Sequence, residues 1–327
     1  MILNLYMNQE GVVKVKDDFT EECLFGRGVR QGCCLSPVLF SLYAEMMMVE
    51  AFQDNEEGVK VGGRALRDIR YADDQAMLSS TEQGLQETMN KLCIVAEEYG
   101  MRVNVNKTKV MRVSKHPDGR KLNIVVNGTV LEQVTSFKYL GSTITEDGRC
   151  ESEIDIRIAI AKAAFTKRRE LLSRAININL KKKIIKTMAW SILLYGCETW
   201  TLKKEEIKQM EACEMWFWRR LLKIKSTDKI SNEEVLRRVD EQRTLIDTIY
   251  RRKRKWIGHV VRGDGLMKLI MEGRMEGSFP PGKPRIGMLD MVKPKFTKES
   301  KKNGYAIMKR VAMDRERWRE WVPSNLP

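Results

Sequence analysis

The sequence predicts an α+β fold for about the first 150 residues and a helical fold for the rest. Short β-forming runs alternate with helix-length segments up to Cys150, and beyond it apolar residues recur at helical spacing. Residues 1–150 hold 18 Lys and Arg against 21 Asp and Glu, whereas residues 151–327 hold 41 against 23. The net charges of −3 and +18 predict a polyanion-binding region in the second part. The alternative is a solvated helical surface rich in lysine.

Composition is that of a globular protein. Of the 327 residues, 43% are hydrophobic and 31% are charged, which suits a sizeable core. No apolar run reaches the roughly 18 residues of a membrane span, and the first residues lack the pattern of a secretory signal. We therefore expect an intracellular protein, nuclear or cytoplasmic. Seven cysteines without a Cys-x-x-Cys pair, and two histidines, exclude a zinc knuckle or disulfide framework and predict reduced thiols, mostly in the core.

The first half begins with a strand, a helix and a hairpin. Residues 12–15 are β-forming, and Ser36 to Phe52 is a helical segment with Pro37 suited to its first position. Residues 64–71 and 75–79 flank a short polar turn, which is typical of a hairpin.

A second helix and further strands follow. Residues 80–83 have the pattern of a capping box, and the helix they open carries an apolar face that ends at Gly100. Residues 110–113 and 122–126 are strand-like, and Asn127-Gly128 is a hairpin turn. Together these elements predict an antiparallel sheet with helices on one side.

The second half is helical. Ile158, Ala161, Phe165 and Leu172 share a helical face, and residues 184–195 and 207–222 carry further apolar stripes. Residues 273–287 are rich in Pro and Gly and predict a linker. We expect three regions, spanning 1–148, 149–240 and 241–327. The aromatic residues of the helices are expected to pack in the core, the alternative being stacking on bases; they are Trp190, Tyr195, Trp200, Trp216 and Trp218.

Two adjacent carboxylates occupy the polar turn of the predicted hairpin, in the run Tyr71-Ala72-Asp73-Asp74. Paired carboxylates form an oxygen-rich, doubly negative site that suits Mg²⁺. In two-metal phosphoryl transfer the ions lie about 3.5 to 4 Å apart and stabilise the attacking and leaving oxygens. Acid pairs in turns are common, so these residues alone are weakly specific.

Three further motifs accompany the acid pair. Residues 28–37 form a Gly-rich turn that opens a helix, a geometry that allows the backbone to approach a base or a phosphate. Gly100-Met101-Arg102-Val103-Asn104 leads to Lys107-Thr108, and residues 137–141 read Phe-Lys-Tyr-Leu-Gly. In this order and spacing the four motifs resemble those of non-LTR (LINE-type) retrotransposon reverse transcriptases. The resemblance covers residues 1 to about 150, and it extends loosely to residues 256–259.

The resemblance implies a partial right-hand polymerase palm, followed by a helical thumb and a basic helical tail. It implies that Asp73 is a metal-binding catalytic carboxylate and that Asp74 is its less critical neighbour. The implied cofactor is Mg²⁺ or Mn²⁺, and the implied partners are an RNA template, a DNA primer and a deoxynucleoside triphosphate.

The resemblance also assigns binding roles to the other motifs. Arg30, Gln31 and Gly32 would line the nucleotide and template pocket, and Lys107 would approach the triphosphate. The run Tyr139-Leu140-Gly141 would form the turn that holds the primer. Without the resemblance, Lys107 is equally a solvated lysine and residues 139–140 are equally core.

The sequence also departs from the family. The family requires another aspartate on a preceding palm strand, together with fingers, and the chain begins about 70 residues before Asp73. Asp17 and Asp18 lie on the wrong element to replace that aspartate. We therefore expect weak metal binding and negligible DNA synthesis by the chain alone. Three hypotheses remain: a polymerase completed by other polypeptide, a remnant that only binds nucleic acid, and, less favoured, a maturase- or telomerase-like relative.

Basic residues of the second half occur in blocks. The blocks are residues 167–169, residues 181–183 and the run Arg251-Arg252-Lys253-Arg254-Lys255. Like charges repel one another, so a phosphate backbone is the expected counter-charge. Trp256, next to the last block, is expected to pack in the core rather than stack on a base.

Overall fold

The structure is a computed structural model that describes residues 5–7, 9–53, 57–168, 176–275, 285–292 and 300–320. The chain divides into two compact units. The first comprises Met1–Lys60, Arg64–Lys109 and Leu122–Glu132, and the second comprises Val61–Gly63, Val110–Lys121 and Gln133–Pro327. The three regions predicted from the sequence (1–148, 149–240 and 241–327) are not tested by this division and stay predictions.

Strands and helices alternate in the first part of the chain. In order they are β1 (Gln9–Gly11), β2 (Lys14–Val15), β3 (Asp18–Phe19), β4 (Cys23–Phe25), α1 (Ser36–Ala51), β5 (Val59–Val61), β6 (Arg64–Leu66), β7 (Asp68–Tyr71), β8 (Asp74–Met77), α2 (Glu82–Glu98), β9 (Lys109–Val110), β10 (Val125–Val126), β11 (Thr129–Val130) and β12 (Glu132–Gln133). One more hairpin precedes the helical part, with strands β13 (Ser136–Tyr139) and β14 (Ser142–Thr145). The helices that follow are α3 (Glu151–Lys167), α4 (Ile178–Leu193), α5 (Lys204–Leu221), α6 (Asn232–Val239), α7 (Leu245–Arg262), α8 (Leu266–Glu272), α9 (Ser300–Met313) and α10 (Arg315–Glu320).

The mixture of helices and strands confirms the α+β class. The described strands form seven two-stranded pairs rather than the single sheet that the sequence predicted. The pairs β1–β4, β2–β3, β7–β8, β10–β11 and β13–β14 are antiparallel. Strands of two to four residues leave little backbone for a continuous ladder, so each pair depends on its turn and on neighbouring helices.

Helix α1 begins as predicted, with Pro37 in its first turn, where its missing N–H costs nothing. Helix α2 begins one residue later than the predicted capping box allows. Its cap is Thr81, whose hydroxyl accepts from the Gly84 N–H at 3.0 Å, and the third helical residue is therefore Gly84 rather than the predicted Gln83. Gly100 follows the helix with φ +63°, a conformation that glycine adopts without strain.

The first unit packs one face of α1 against α2. Met47 and Met48 of α1 and Met89 and Leu92 of α2 are buried. At the rim, the Tyr43 hydroxyl donates to the Tyr99 carbonyl at 2.6 Å. The opposite side of α1 is apolar but exposed, with 58% to 63% exposure at Val38, Leu42, Met46 and Val49.

The second unit has a larger core, built from α3 to α7 together with α9 and α10. Trp190, Trp200 and Trp218 are buried in it, and Trp216 and Trp256 pack against it, as predicted. Ile154, Ala161 and Phe165 form the buried face of α3. Leu172, which was predicted to extend that face, lies outside the described residues, as do Pro280, Pro281 and Pro284 of the predicted linker.

The buried carboxylate of Glu214, on α5, caps the N-terminus of helix α7. The side chain of Glu214 is 1% exposed, and it accepts from the Thr244 N–H at 3.0 Å and the Leu245 N–H at 3.3 Å. These are donors of a helix N-terminus that would otherwise be unpaired. Burial raises the pKa of Glu214, and the two N–H groups oppose that shift.

The cysteines are free thiols, as predicted, but they are not mostly core residues. Cys197 and Cys213 are buried, whereas the other five are half-buried or exposed. No helix among the described residues is long and apolar enough to cross a membrane.

Candidate functional site

The acid pair stands at the tip of hairpin β7–β8. Tyr71 pairs with Asp74, which leaves Ala72 and Asp73 as a two-residue turn. Ala72 has φ +54°, a conformation that is uncommon outside glycine and that concentrates at functional turns. Asp73 and Asp74 are both exposed. The predicted hairpin is therefore present, and it presents two carboxylates to solvent.

One ion pair fixes this hairpin to α1. Arg70 of β7 contacts Glu45 of α1 at 2.9 Å, and it also pairs with Asp68 on its own strand. Burial raises the pKa of Asp68, and the Arg70 guanidinium opposes the shift. Successive side chains of a strand point to opposite faces, so Tyr71 and its cross-strand neighbour Asp74 project away from the face that carries Arg70.

A second acid pair has nearly the same backbone geometry. Val15 pairs with Asp18 in hairpin β2–β3, which leaves Lys16 and Asp17 as the turn, and Lys16 has φ +58°. The turn alone is therefore not diagnostic. Hairpin β7–β8 differs because the Arg70–Glu45 ion pair anchors it to a helix. No group of three or more His, Cys, Asp or Glu side chains that could hold a metal ion is found among the described residues.

The Gly-rich turn precedes α1. Gly28 and Gly32 have φ +95° and +87°, and a Cβ at either position would meet nothing within 4 Å. Glycine is needed there for its backbone conformation, and the turn leaves open space around it. The Ser36 hydroxyl donates to the Arg30 carbonyl at 2.6 Å, and the Arg30 Nε donates to Gln9 Oε1 at 3.1 Å.

The predicted nucleotide-binding residues Arg30, Gln31, Gly32 and Lys107 are all exposed. Asn104 shapes the segment before Lys107, because its side-chain and backbone oxygens accept from the Lys107 N–H at 3.2 and 3.1 Å.

Helix α1 brings three motifs of the first unit together. It begins at the end of the Gly-rich turn and carries Glu45, which pairs with the hairpin of Asp73. It also contacts Tyr99, next to Gly100. In addition, Arg27, the residue before the Gly-rich turn, packs against the third motif, since its Nη1 lies 3.3 Å from the position of a Cβ on Gly100.

The fourth motif belongs to the second unit. Tyr139 pairs with Ser142, so Leu140 and Gly141 form the turn of hairpin β13–β14, with φ +48° and +82°. The Tyr195 hydroxyl donates to the Leu140 carbonyl, and Arg157 donates to the Gly141 carbonyl. No sequence pattern indicated these two contacts. Tyr195 was predicted to pack in the core, whereas it is 48% exposed.

The helical period places some side chains of the basic run on the exposed face of α7 and others on its buried face. Arg251, Arg252 and Lys255 are exposed, and Arg254 is half-buried. Lys253 corrects the prediction, because it is fully buried and donates to the Trp200 carbonyl. A lysine held inside the core is not available to a phosphate.

The other basic blocks also contain both buried and exposed side chains. Lys181 and Lys182 are buried, and the Lys182 Nζ donates to the Val239 carbonyl at 2.9 Å. Lys183, Lys167 and Arg168 are exposed. Arg169 lies outside the described residues.

Comparison with known proteins shows what the first part of the chain is similar to. Residues 2–144 match the family model for reverse transcriptase, described as RNA-dependent DNA polymerase. This range contains the Gly-rich turn, both acid pairs, Lys107 and the Leu140-Gly141 turn.

The chain is also similar to proteins of transposable elements. The chain is 28% identical over 147 residues to the Pol polyprotein of the type-2 retrotransposable element R2DM of Drosophila melanogaster, covering 42% of this chain and 14% of that protein. It is 26% identical over 184 residues to the RNA-directed DNA polymerase from the mobile element jockey of the same species, covering 52% of this chain and 19% of that protein. A transposon-derived protein of Caenorhabditis elegans is 26% identical over 219 residues, covering 65% of this chain and 78% of that protein.

These matches confirm the resemblance to non-LTR retrotransposon reverse transcriptases, which the family model places in residues 2–144. Divalent metal ions are the usual cofactors of that family. The chain spans less than a fifth of the R2DM and jockey proteins that it matches.

Proposed function

We propose that this chain is part of an RNA-directed DNA polymerase, to which it contributes a metal-binding turn, a nucleotide-binding turn, a primer-holding hairpin and a basic helical region. The other components of the catalytic centre come from polypeptide outside the described residues. In this arrangement the first unit is part of the palm, and the helices after residue 148 are the thumb and the basic tail.

The observation that carries this proposal is the anchored Asp73-Asp74 turn. Its hairpin is tied by the Arg70–Glu45 ion pair to the helix that begins at the Gly-rich turn. An exposed acid pair that is merely solvated needs no such anchor. A pair that holds a metal ion close to bound nucleotide does need one, because catalytic groups must be held in a defined geometry.

The donors of this turn suit a hard divalent cation such as Mg²⁺ or Mn²⁺, because both side chains supply carboxylate oxygens. Two carboxylates are too few to hold a pair of ions, and the described residues supply no cluster with a third ligand. We therefore propose weak binding of a single ion by Asp73 and Asp74, and derive no catalytic step through it.

The exposed apolar side of α1 supports the contribution of further polypeptide. Val38, Leu42, Met46 and Val49 recur at helical spacing and are all more than half exposed. Contiguous exposed apolar surface marks an interaction site. A helix that is apolar on both sides belongs inside a larger assembly, and the remainder of the polymerase is the proposed cover.

Primer extension tests this proposal. A DNA primer annealed to an RNA template is incubated with the chain and the four deoxynucleoside triphosphates, with Mg²⁺ or Mn²⁺. We expect negligible synthesis, because the metal ligands are incomplete. Template-dependent synthesis that Asp73→Asn abolishes and the matched variant Asp17→Asn preserves would establish the polymerase role. It would also refute the expectation that the metal ligands of this chain are incomplete.

A second candidate function is nucleic-acid binding without catalysis, as in a retrotransposon-derived remnant. The exposed cations of α7 favour it, since they are available to phosphates whether or not a metal ion binds in the first unit. Binding of RNA or DNA by the chain, together with a turn that holds no metal ion when a primer–template is bound, would favour this candidate.

A further inference from the structure

The Leu140-Gly141 turn adopts a conformation that its sequence does not favour. Two-residue hairpin turns with positive φ at both positions prefer Asn-Gly, and hairpin β10–β11 of this chain has Asn127 and Gly128 there, with φ +50° and +76°. Hairpin β13–β14 has leucine at the equivalent position, with φ +48°. A branched apolar side chain in this region is strained, and strain of this kind points to function when surrounding groups impose it.

Two neighbouring helices impose the conformation. The carbonyls of Leu140 and Gly141 are held by two different side chains: the Tyr195 hydroxyl donates to the first at 2.8 Å, and Arg157 Nη2 donates to the second. Arg157 lies on α3, and Tyr195 follows α4. Both oxygens of the turn are therefore fixed from the helical side.

Glu153 completes the network. Its Oε1 pairs with Arg157 Nε at 2.6 Å, and its Oε2 accepts from the Thr143 N–H of β14 at 2.7 Å. The Arg157 guanidinium lies 4.5 Å from the centroid of the Tyr195 ring. We call Glu153, Arg157 and Tyr195 the turn clamp.

The burial of Glu153 and Arg157 indicates that the clamp fixes the geometry of the turn more than it stabilises the fold. Glu153 and Arg157 are 4% and 8% exposed, and a buried ion pair rarely stabilises a fold more than apolar residues of the same size. The pair instead fixes a geometry, because Glu153 and Arg157 bond to each other and to the backbone of hairpin β13–β14. The Tyr195 ring packs on the turn, since a Cβ on Gly141 would lie 3.6 to 3.8 Å from its hydroxyl and ring carbons.

We propose that Glu153, Arg157 and Tyr195 are positioning residues that hold the Leu140-Gly141 turn in the geometry that grips the primer strand, an inference that rests on the proposed primer-holding function of this turn. The clamp residues need not touch nucleic acid. They act through the two carbonyls and the N–H that they bind.

The test measures a preference for primer ends. Two RNA–DNA hybrids of equal duplex length are titrated against the full chain, one with a recessed DNA 3′ end on an RNA overhang and one with blunt ends. The ratio of their Kd values reports the grip on the primer terminus. Tyr195→Phe keeps the ring and removes one hydrogen bond, so we expect the preference for the recessed end to fall about two- to tenfold. Tyr305→Phe, which removes a hydroxyl bonded to the Glu272 carboxylate, is the matched control and should keep the ratio.

A rescue variant separates positioning from general stability. Leu140→Asn supplies the Asn-Gly sequence that this turn favours, so Tyr195→Phe should reduce the ratio less in the Leu140→Asn background than in the wild-type chain. If wild type prefers the recessed end and Tyr195→Phe keeps that preference, or if the rescue fails, the clamp proposal is overturned. If wild type shows no preference at all, the primer-holding function fails, and the clamp proposal fails with it.

Discussion

Three exposed cations on α7 allow a quantitative test of nucleic-acid binding. Arg251, Arg252 and Lys255 occupy an arc of about 100° on the helix, because residues one and four positions apart are separated by about 100° and 40°. Replacing all three with Gln removes their charge without altering the buried face of the helix. The quantity measured is the slope of log affinity against log salt concentration.

The magnitude follows from the number of phosphate contacts. Each contact contributes about 0.7 to the slope for single strands and about 0.9 for duplex DNA. Arg251 Nη2 and Arg252 Nη1 each already donate a hydrogen bond of 3.4 Å, to Thr248 Oγ1 and to the Leu194 carbonyl, so one of the three side chains could contribute less than a full contact. Two to three contacts flatten the slope by about 1.4 to 2.7. Between 50 and 200 mM salt, that change alters the loss of affinity by roughly 7- to 40-fold.

Fluorescence anisotropy with labelled single-stranded RNA and duplex DNA, at several salt concentrations, measures these slopes. Two control variants remove charge elsewhere. Arg237→Gln with Arg238→Gln removes exposed cations that both pair with Glu234 at 2.7 Å, and Lys253→Met removes a buried one. Both controls should leave the slope almost unchanged. An unchanged slope in the triple variant, or equal flattening in the controls, would refute the assignment of α7 as a phosphate-binding surface.

Two further predictions concern the core around α7. Burial lowers the pKa of Lys253 from 10.5 to about 8, so the unfolded chain binds more protons at this group between these values, and Lys253 should contribute a stability that rises with pH there by on the order of 3 kcal/mol. Burial raises the pKa values of Cys197 and Cys213, which opposes this rise in the whole chain. Urea unfolding at pH 7.5 and 10 should therefore show wild type gaining stability relative to Lys253→Met, and an equal change in both proteins would contradict the prediction. A Cβ on Gly258 would collide with the Trp318 indole, so Gly258→Ala should destabilise the chain by about 1 to 3 kcal/mol although alanine favours helices. In a Trp318→Ala background the same change should cost nothing by urea unfolding, and a persistent cost would contradict the collision.

The sequence was sufficient where local chemistry dictates structure. Pro37 marked the start of α1, Asn127-Gly128 marked a hairpin, and the polar residues after Tyr71 marked another. In each case a single residue or dipeptide determines the backbone conformation. The roles of the motif residues came instead from the family resemblance, and they stay predictions.

Features that depend on tertiary contacts were not predictable. The burial of Lys253 depends on the core beneath α7, and a run of five basic residues gives no sign of which one turns inward. The strand pairs remain separate because the strands are short, although their apolar patterns suggested one sheet. The bond from Tyr195 to Leu140 joins residues 55 positions apart, so no local pattern reports it.

Metal-directed cleavage tests the central claim most directly. Fe²⁺, in place of Mg²⁺, is added to the chain bound to a primer–template, and ascorbate with peroxide then generates radicals that cut polymer next to the ion. The account predicts cuts in the polypeptide around Asp73 and Asp74 and in the primer near its 3′ end, both lost in Asp73→Asn and kept in Asp17→Asn. Cuts that centre equally on Asp17 and Asp18, or nucleic-acid binding without any cut at Asp73 and Asp74, would contradict it.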